Sequence, residues 1–266
     1  MPQSHRIIAS KTTSGDVHIF DYFKHGVGPT TDEVKPQMVL LGHTREGYGL
    51  DWNPLQGGLL LSGSDDCKVN IWDVNQQNQL ADTVDPLISL DAHSQVVEDV
   101  CWNHHDVNEF ASVSDDKKLK IWDMRQKAAV QSIEAHVAEI MSVDYSPFDK
   151  SLMITGSADR SVAVWDTRNM KTKLFSLRQH KDEVNQVKFS RQVCNMLASS
   201  SGDRRIMVWD LARCGLPQTE EEKRDGPPEL IFIHGGHTSK ISDISWNLNE
   251  RLMMASCAED NILQVW

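Results

Sequence analysis

Short runs of apolar residues recur along the chain, and turn-forming residues separate them. In one clear example, the run at residues 59–61 is followed by a turn at Asp65 and Asp66 and then by a second run at residues 69–72. Apolar runs of this length, bounded by Asp, Ser and Gly, are typical of β-strands buried between neighbours. A further short strand, such as residues 97–102, precedes each hairpin of this kind. The pattern therefore predicts an all-β chain built of repeated hairpins.

The hairpins carry a fixed spacing of histidine and tryptophan. In five places the two residues stand 29 positions apart: His43 and Trp72, His93 and Trp122, His136 and Trp165, His180 and Trp209, and His237 and Trp266. Four of these tryptophans are followed by Asp, and successive histidines lie 43 to 57 residues apart. Both features resemble the WD repeat, whose period is about 40–45 residues and which forms the blades of β-propellers.

Polar residues at constant distances before the tryptophan predict a buried hydrogen-bond chain in each repeat. An aspartate stands six positions before every repeat tryptophan, and a serine stands eight before it in four repeats, with Ala258 in the fifth. A buried indole N–H needs an acceptor, which such a chain supplies. The predicted members are His93, Ser114, Asp116, Trp122, His136, Ser157, Asp159, Trp165, His180, Ser201, Asp203 and Trp209.

The repeat predicts one propeller domain over residues 1–266, with incomplete blades at both ends. Residues 6–21 match the second and third strands of a blade, with Phe20 in the tryptophan place, and the last strand stops at Trp266. We therefore expect four whole blades and two partial ones of a seven-bladed parent. The expected boundaries are a partial blade at 1–41, blades at 42–91, 92–134, 135–178 and 179–235, and a partial blade at 236–266.

Two stretches interrupt the blade rhythm, at residues 26–36 and 215–229. The second contains three consecutive glutamates and ends in Asp225-Gly226-Pro227-Pro228-Glu229. Because proline cannot donate to a sheet ladder, this acidic insertion is predicted to project as a loop. It serves either as a binding loop or as a solvated connector.

Composition narrows the class of partner. Lys and Arg number 27 against 38 Asp and Glu, for a formal charge of −11, which favours cationic partners and disfavours direct contact with nucleic acid. No apolar stretch is long enough for a membrane helix, so no membrane role is expected. The five cysteines form no CxxC pair, and the side chains of adjacent residues such as His104 and His105 rarely converge on one metal ion. We expect no metal and no cofactor.

The recurring Ser, His and Asp invite comparison with a hydrolase triad. A catalytic triad occurs once in an enzyme, whereas this set occurs once in each repeat, and neither a GxSxG elbow nor a glycine-rich phosphate loop is present. The sequence therefore favours a binding scaffold over an enzyme.

Four segments narrow the resemblance further. Residues 42–50, 96–100, 180–183 and above all 225–237, with Gly-Pro-Pro-Glu before Phe-Ile-His-Gly-Gly-His, resemble the retinoblastoma-binding, histone-binding WD-repeat proteins of the chromatin assembly factor small-subunit type. This resemblance implies a nuclear, partly cytoplasmic histone-binding subunit of chromatin assembly, modification or remodelling complexes. It implies two binding surfaces.

One implied surface is a side groove for a histone helix, formed with the insertion: Asp225, Gly226, Pro227, Pro228, Glu229, Phe232 and Ile233. The other is a channel rim that receives an extended basic peptide, with Glu46, Tyr48, Glu98, Glu139, Glu183, Lys240 and Glu259. Carboxylates and a tyrosine suit Arg and Lys, through charge-assisted hydrogen bonds and cation–π contacts. Met141 and Asn185 depart from the family pattern, which implies a different peptide preference.

An alternative function comes from a separate motif. Arg125 and Arg168 follow Trp-Asp by two positions, as in propellers that dock on cullin ubiquitin-ligase adaptors. The same arginines could simply brace the end of the blade strand, since the pattern is short.

Overall fold

The computed structural model describes residues 1–24, 35–75 and 82–266. The chain divides into two compact units, Met1–Ser132 and Ile133–Trp266. Of the predicted interruption at residues 26–36, positions 26–34 lie outside the described residues. The prediction that the whole chain is one domain stays a prediction.

Three four-stranded sheets make up the first unit. Sheet 1 contains β1 (Ile7–Lys11), β2 (Val17–Asp21), β3 (Met38–Leu40) and β7 (Thr83–Val84). Sheet 2 contains β4 (Leu50–Trp52), β5 (Leu59–Gly63), β6 (Lys68–Asp73) and β8 (Ile88–Asp91). Sheet 3 contains β9 (Val97–Trp102), β10 (Glu109–Ser114), β11 (Lys118–Asp123) and β12 (Ala129–Glu134). A 3-10 turn, Tyr22–Lys24, follows β2. The boundary between the units falls within β12.

The second unit contains three further sheets. Sheet 4 contains β13 (Ile140–Tyr145), β14 (Leu152–Ser157), β15 (Val162–Asp166) and β16 (Phe175–Leu177). Sheet 5 contains β17 (Val184–Phe189), β18 (Met196–Ser201), β19 (Ile206–Asp210) and β20 (Leu230–His234). Sheet 6 contains β21 (Ile241–Trp246), β22 (Met254–Ala258) and β23 (Leu263–Val265). Two 3-10 turns, Leu211–Arg213 and Glu222–Arg224, lie in the connection between β19 and β20.

The predicted number of blades is wrong. The described residues form six sheets, not four whole blades and two partial ones of a seven-bladed parent. Sheet 1 has four strands because β7 adds to β3 in parallel, where the Val39 N–H donates to the Asp82 carbonyl and the Leu41 N–H to the Val84 carbonyl, both at 2.8 Å. Residues 83–84 gave no strand signal because two residues are too few to show a period.

Apolar faces of neighbouring sheets meet within each unit. In the first, Leu61 and Ile71 of sheet 2 pack in one buried cluster with Val100, Trp102 and Phe110 of sheet 3. Burying each such side chain stabilises the fold by about 1.5–3 kcal/mol. These strands are buried on both faces, which explains why their sequences read as continuous apolar runs.

Glycine permits the close approach of two sheets in the second unit. A Cβ placed on Gly156 of β14 would lie 2.8 Å from a methyl group of Val184 and 2.9 Å from one of Val187. Both valines belong to β17 and are fully buried. A larger residue at position 156 would therefore push sheets 4 and 5 apart.

Candidate functional site

A buried hydrogen-bond chain ties each of four repeats together. In sheet 4, the Trp165 indole N–H donates to Thr155 Oγ1 at 2.9 Å, Thr155 Oγ1 lies 2.8 Å from His136 Nε2, and His136 Nδ1 lies 2.9 Å from Asp159. The same contacts recur in three other repeats, where a serine hydroxyl takes the place of Thr155. The sets are Trp122–Ser112–His93–Asp116, Trp209–Ser199–His180–Asp203 and Trp266–Ser256–His237–Asp260.

The chemistry of its two ends fixes the direction of this chain. An indole can only donate and an ionised carboxylate can only accept, so the hydroxyl must donate to Nε2 and the histidine must carry its proton on Nδ1. Burial lowers the pKa of His136, against the opposing effect of Asp159, which keeps the ring neutral as this direction requires. Burial alone would raise the pKa of Asp159, but hydrogen bonds from His136 and Ser161 bring it below its ordinary value.

This chain has the same order of groups as a hydrolase triad. Its hydroxyl oxygens are nevertheless enclosed: Ser112, Thr155 and Ser199 are fully buried, and each already accepts an indole N–H. A nucleophile must reach its substrate, so these sets act as structural ties.

The serines predicted as members of the hydrogen-bond chain are not the ones that bridge the histidine and the tryptophan. Ser114, Ser157 and Ser201, eight positions before the tryptophan, are instead the last residues of β10, β14 and β18, where each hydroxyl accepts the N–H of the residue two positions later. The Ser157 hydroxyl also donates to the Glu139 carbonyl at 2.7 Å. The bridging hydroxyls were missed, although a serine or threonine stands ten positions before every repeat tryptophan: Ser62, Ser112, Thr155, Ser199 and Ser256.

The first repeat departs from this scheme and the fifth does not. Ala258 lacks only the turn hydroxyl, because Ser256 completes the fifth chain. In the first repeat Ser62 accepts from Lys11 Nζ at 2.9 Å, and the Trp72 indole donates to the Leu41 carbonyl at 3.0 Å instead. Burial lowers the pKa of Lys11 to about 8.

One equivalent position in each repeat holds four of the seven predicted rim residues. This position lies three residues after the repeat histidine. Its carbonyl accepts a hydrogen bond, at 2.9 to 3.2 Å, from a backbone N–H in the turn after the second strand of the same repeat. These residues are Glu46, Val96, Glu139, Glu183 and Lys240. Glu46 and Glu139 are exposed, and Tyr48 is 77% exposed. Each repeat thus presents this position at the same end of its sheet.

In the first unit, Glu98 lies among other carboxylates. Burial, and then the charges of Asp115, Asp65 and Asp99, raise the pKa of Glu98 to about 7. A hydrogen bond with the Asp115 side chain contributes to the same rise. Asp65 Oδ1 is buried and accepts no hydrogen bond from any residue that the structure describes. Lys11 balances part of this charge, since Asp65 and Asp66 act on its ammonium group.

In the second unit, two rim residues pair with each other. Glu183 Oε1 lies 2.5 Å from Lys240 Nζ, and this hydrogen bond raises the pKa of Lys240. Glu259 is exposed and acts on the same ammonium group. The Asn185 side-chain amide donates to the Ile241 carbonyl at 2.8 Å. Met141 is half-buried on β13.

The acidic insertion folds over the end of sheet 5. The Gln218 amide donates to the Gly226 carbonyl at 2.9 Å, the Leu230 N–H donates to the Pro227 carbonyl at 3.0 Å, and the Asp210 N–H donates to the Glu229 carbonyl at 2.8 Å. Asp225 is exposed and Pro228 is half-buried. The insertion is therefore an ordered loop, as its proline pair and its charge predict.

Phe232 and Ile233 alternate along β20. Phe232 is 50% exposed and its ring lies 5.7 Å from that of Trp266, whereas Ile233 lines a cleft beneath the insertion. Their alternation sends the two side chains to opposite faces of sheet 5, so they do not share one apolar surface.

The two arginines of the Trp-Asp motifs pair with their own aspartates. Arg125 donates two hydrogen bonds to Asp123, at 2.8 and 2.5 Å, and Arg168 donates two to Asp166, at 2.9 and 2.7 Å. Both side chains are mostly exposed. This pairing is the one expected of arginines that brace the blade exit.

Six sheets over the described residues, four of them tied by a His–Asp–hydroxyl–Trp chain, define an all-β repeat protein of the β-propeller class. The family model for the WD domain, G-beta repeat (WD40), matches residues 34–73, 84–123, 127–166, 171–210 and 228–266. The chain belongs to this family. WD40 domains are in general non-catalytic scaffolds for protein–protein interaction. Across residues 1–24, 35–75 and 82–266, no helix is long and apolar enough to cross a membrane.

Proposed function

We propose that this chain is a histone-binding scaffold subunit of chromatin assembly, modification or remodelling complexes, active in the nucleus and partly in the cytoplasm. It binds basic peptides through the rim, in which Lys240 accompanies the carboxylates and the tyrosine: Glu46, Tyr48, Glu98, Glu139, Glu183 and Glu259. The family match supports the scaffold role, and the resemblance of residues 225–237 to histone-binding WD-repeat proteins supports the choice of histones.

One observation carries the proposal: the carboxylate of Glu98 sits beside three aspartates. Three neighbouring negative charges and partial burial make its ionisation costly, as the raised pKa records. A lysine or arginine side chain of a ligand would relieve this repulsion and form charge-assisted hydrogen bonds. Exposed Tyr48, on the preceding repeat, offers a ring face to the same cation.

The alternative, a substrate receptor on a cullin adaptor, has weaker support. It needs Arg125 and Arg168 to bind the adaptor, but both guanidinium groups are engaged with Asp123 and Asp166. We therefore retain histone binding as the proposal.

Affinity purification of the tagged chain from nuclear extract tests this choice. We expect histones and chromatin subunits to be recovered with the chain, to be reduced with Glu98→Lys, and to persist with the matched pair Arg125→Ala and Arg168→Ala. Recovery of a cullin adaptor without histones, lost with the arginine pair, would overturn the proposal.

A further inference from the structure

A cleft of the second unit lies beneath the acidic insertion. It has a volume of about 580 Å³, which is within the range of roughly 300–1,000 Å³ for ligand sites. Its apolar floor is formed by Met207, Leu230 and Ile233, on β19 and β20. Its walls come from the insertion on one side and from the loops around His180 and Asp203 on the other.

The walls of this cleft are cationic, although the insertion as a whole is acidic. Lys181 and Arg205 stand on one side, and Lys223 and Arg224 on the other. All four are exposed. Two glutamates of the insertion make contacts within the insertion itself. Glu222 accepts the Thr219 N–H at 2.7 Å, and Glu220 forms an ion pair with Lys223 at 2.6 Å.

Two carboxylates line the cleft and offset part of its positive charge. Asp203 is committed to the hydrogen-bond chain, where it accepts from His180 Nδ1 at 3.0 Å and from the Lys181 N–H at 2.9 Å. Its other oxygen accepts the Arg205 N–H at 3.0 Å. Asp225 is the other carboxylate of the lining. Of the four cations, Lys223 is paired with Glu220, which leaves three cations against these two carboxylates. Within the described residues, neither Lys181, Arg205 nor Arg224 has a side-chain ion pair.

One edge of sheet 5 lies beside the same cleft. β20 pairs with β19 on one side and, among the described residues, with no strand on its other side. Ile231 and Ile233 of β20 are partly exposed. An edge strand can pair with an extended peptide, whose alternate side chains then point to one face.

We propose that this cleft binds an extended acidic segment of a partner protein, in which carboxylate or phosphoryl groups contact Lys181, Arg205 and Arg224 while an apolar side chain rests on Ile233. Its charge preference is opposite to that of the rim. The scaffold thereby holds one basic and one acidic partner segment.

Fluorescence polarisation with the whole chain tests this inference. The probe is a labelled peptide of alternating Glu and Val; a second form carries phosphoserine in place of Glu, and a third carries Lys. We expect the first two to bind and the third not to compete with them. Tighter binding of the phosphoserine form would identify phosphoryl groups as the preferred source of charge.

Matched variants distinguish the cleft from general attraction. The double variant Arg205→Glu and Arg224→Glu should lower affinity at least about tenfold, or about 1.4 kcal/mol. Lys127→Glu, an exposed lysine in the other unit, should change it less than about twofold. Thermal melts confirm that each variant folds. Glu98→Lys should leave the affinity for acidic peptides unchanged. The cleft can therefore be tested even if the rim proposal fails.

Three results would overturn the inference. The first is that neither acidic peptide binds. The second is that Lys127→Glu lowers affinity as much as the double arginine variant does. The third is that oligothymidylate binds through the two arginines while none of the peptides binds. The last would indicate a nucleic-acid site in place of a peptide site.

Discussion

Glu98 is a carboxyl group whose surroundings keep it partly protonated near neutral pH. Its pKa of about 7 arises from burial and from Asp115, Asp65 and Asp99. Position alone suggested Glu98 as a rim residue, because it follows its repeat histidine by five residues. Asp99 is its neighbour on β9, whereas Asp65 and Asp115 come from turns after two other strands, and the approach of these two could not be predicted from spacing along the chain.

The raised pKa of Glu98 has a consequence for stability. Between the ordinary value of 4.5 and about 7, the folded chain binds a proton at Glu98 that the unfolded chain has lost. The contribution of this group to stability therefore falls as pH rises through that window. We predict that Glu98→Gln raises the melting temperature more at pH 8 than at pH 5, measured by calorimetry.

Glu139→Gln is the matched control, since Glu139 is exposed at a rim position. It should shift the melting temperature by similar amounts at both pH values. An equal effect of Glu98→Gln at pH 5 and pH 8 would contradict the account of this cluster.

At the scale of strands and turns, the repeat predicts most of what forms. The strands around each repeat tryptophan follow from apolar runs and turn residues, and the structure contains them. The role of the serines was misassigned because register shifts occur between Val113 and Ser114 of β10 and between Ile140 and Ser142 of β13. Such bulges re-aim side chains near the turn, and nothing in a 29-residue spacing reveals them.

The hydrogen-bond chain predicts a specific cost for losing one hydroxyl. Thr155→Val keeps the shape of the side chain but leaves the Trp165 indole N–H and His136 Nε2 buried without a partner. We expect a loss of about 2–3 kcal/mol in the free energy of unfolding, measured by urea denaturation.

Thr155→Ser provides the comparison, because it keeps the hydroxyl and removes a methyl group worth about 0.8 kcal/mol. If Thr155→Val were no more destabilising than Thr155→Ser, the bridging hydroxyl would not stabilise the repeat.

For the molecule as a whole, the family and the all-β class could be predicted from the repeat. The number of blades could not, because β7 has only two residues, too few to show a strand period. The negative charge of the chain suggested basic partners everywhere, yet the cleft beneath the insertion gathers cations. Net charge describes long-range attraction, whereas a site is defined by the few charges that are left unpaired within it.

The central claim is that the rim carboxylates bind basic peptides, and titration of a labelled histone-tail peptide against rim variants tests it most directly. Glu98→Lys and Glu183→Lys each replace a charge-assisted hydrogen bond with repulsion, so each should weaken binding about 10- to 100-fold. Glu221→Lys, on the acidic insertion, makes the same change in net charge and should leave affinity nearly intact. Equal losses for all three variants, or no loss for the two rim variants, would contradict the account.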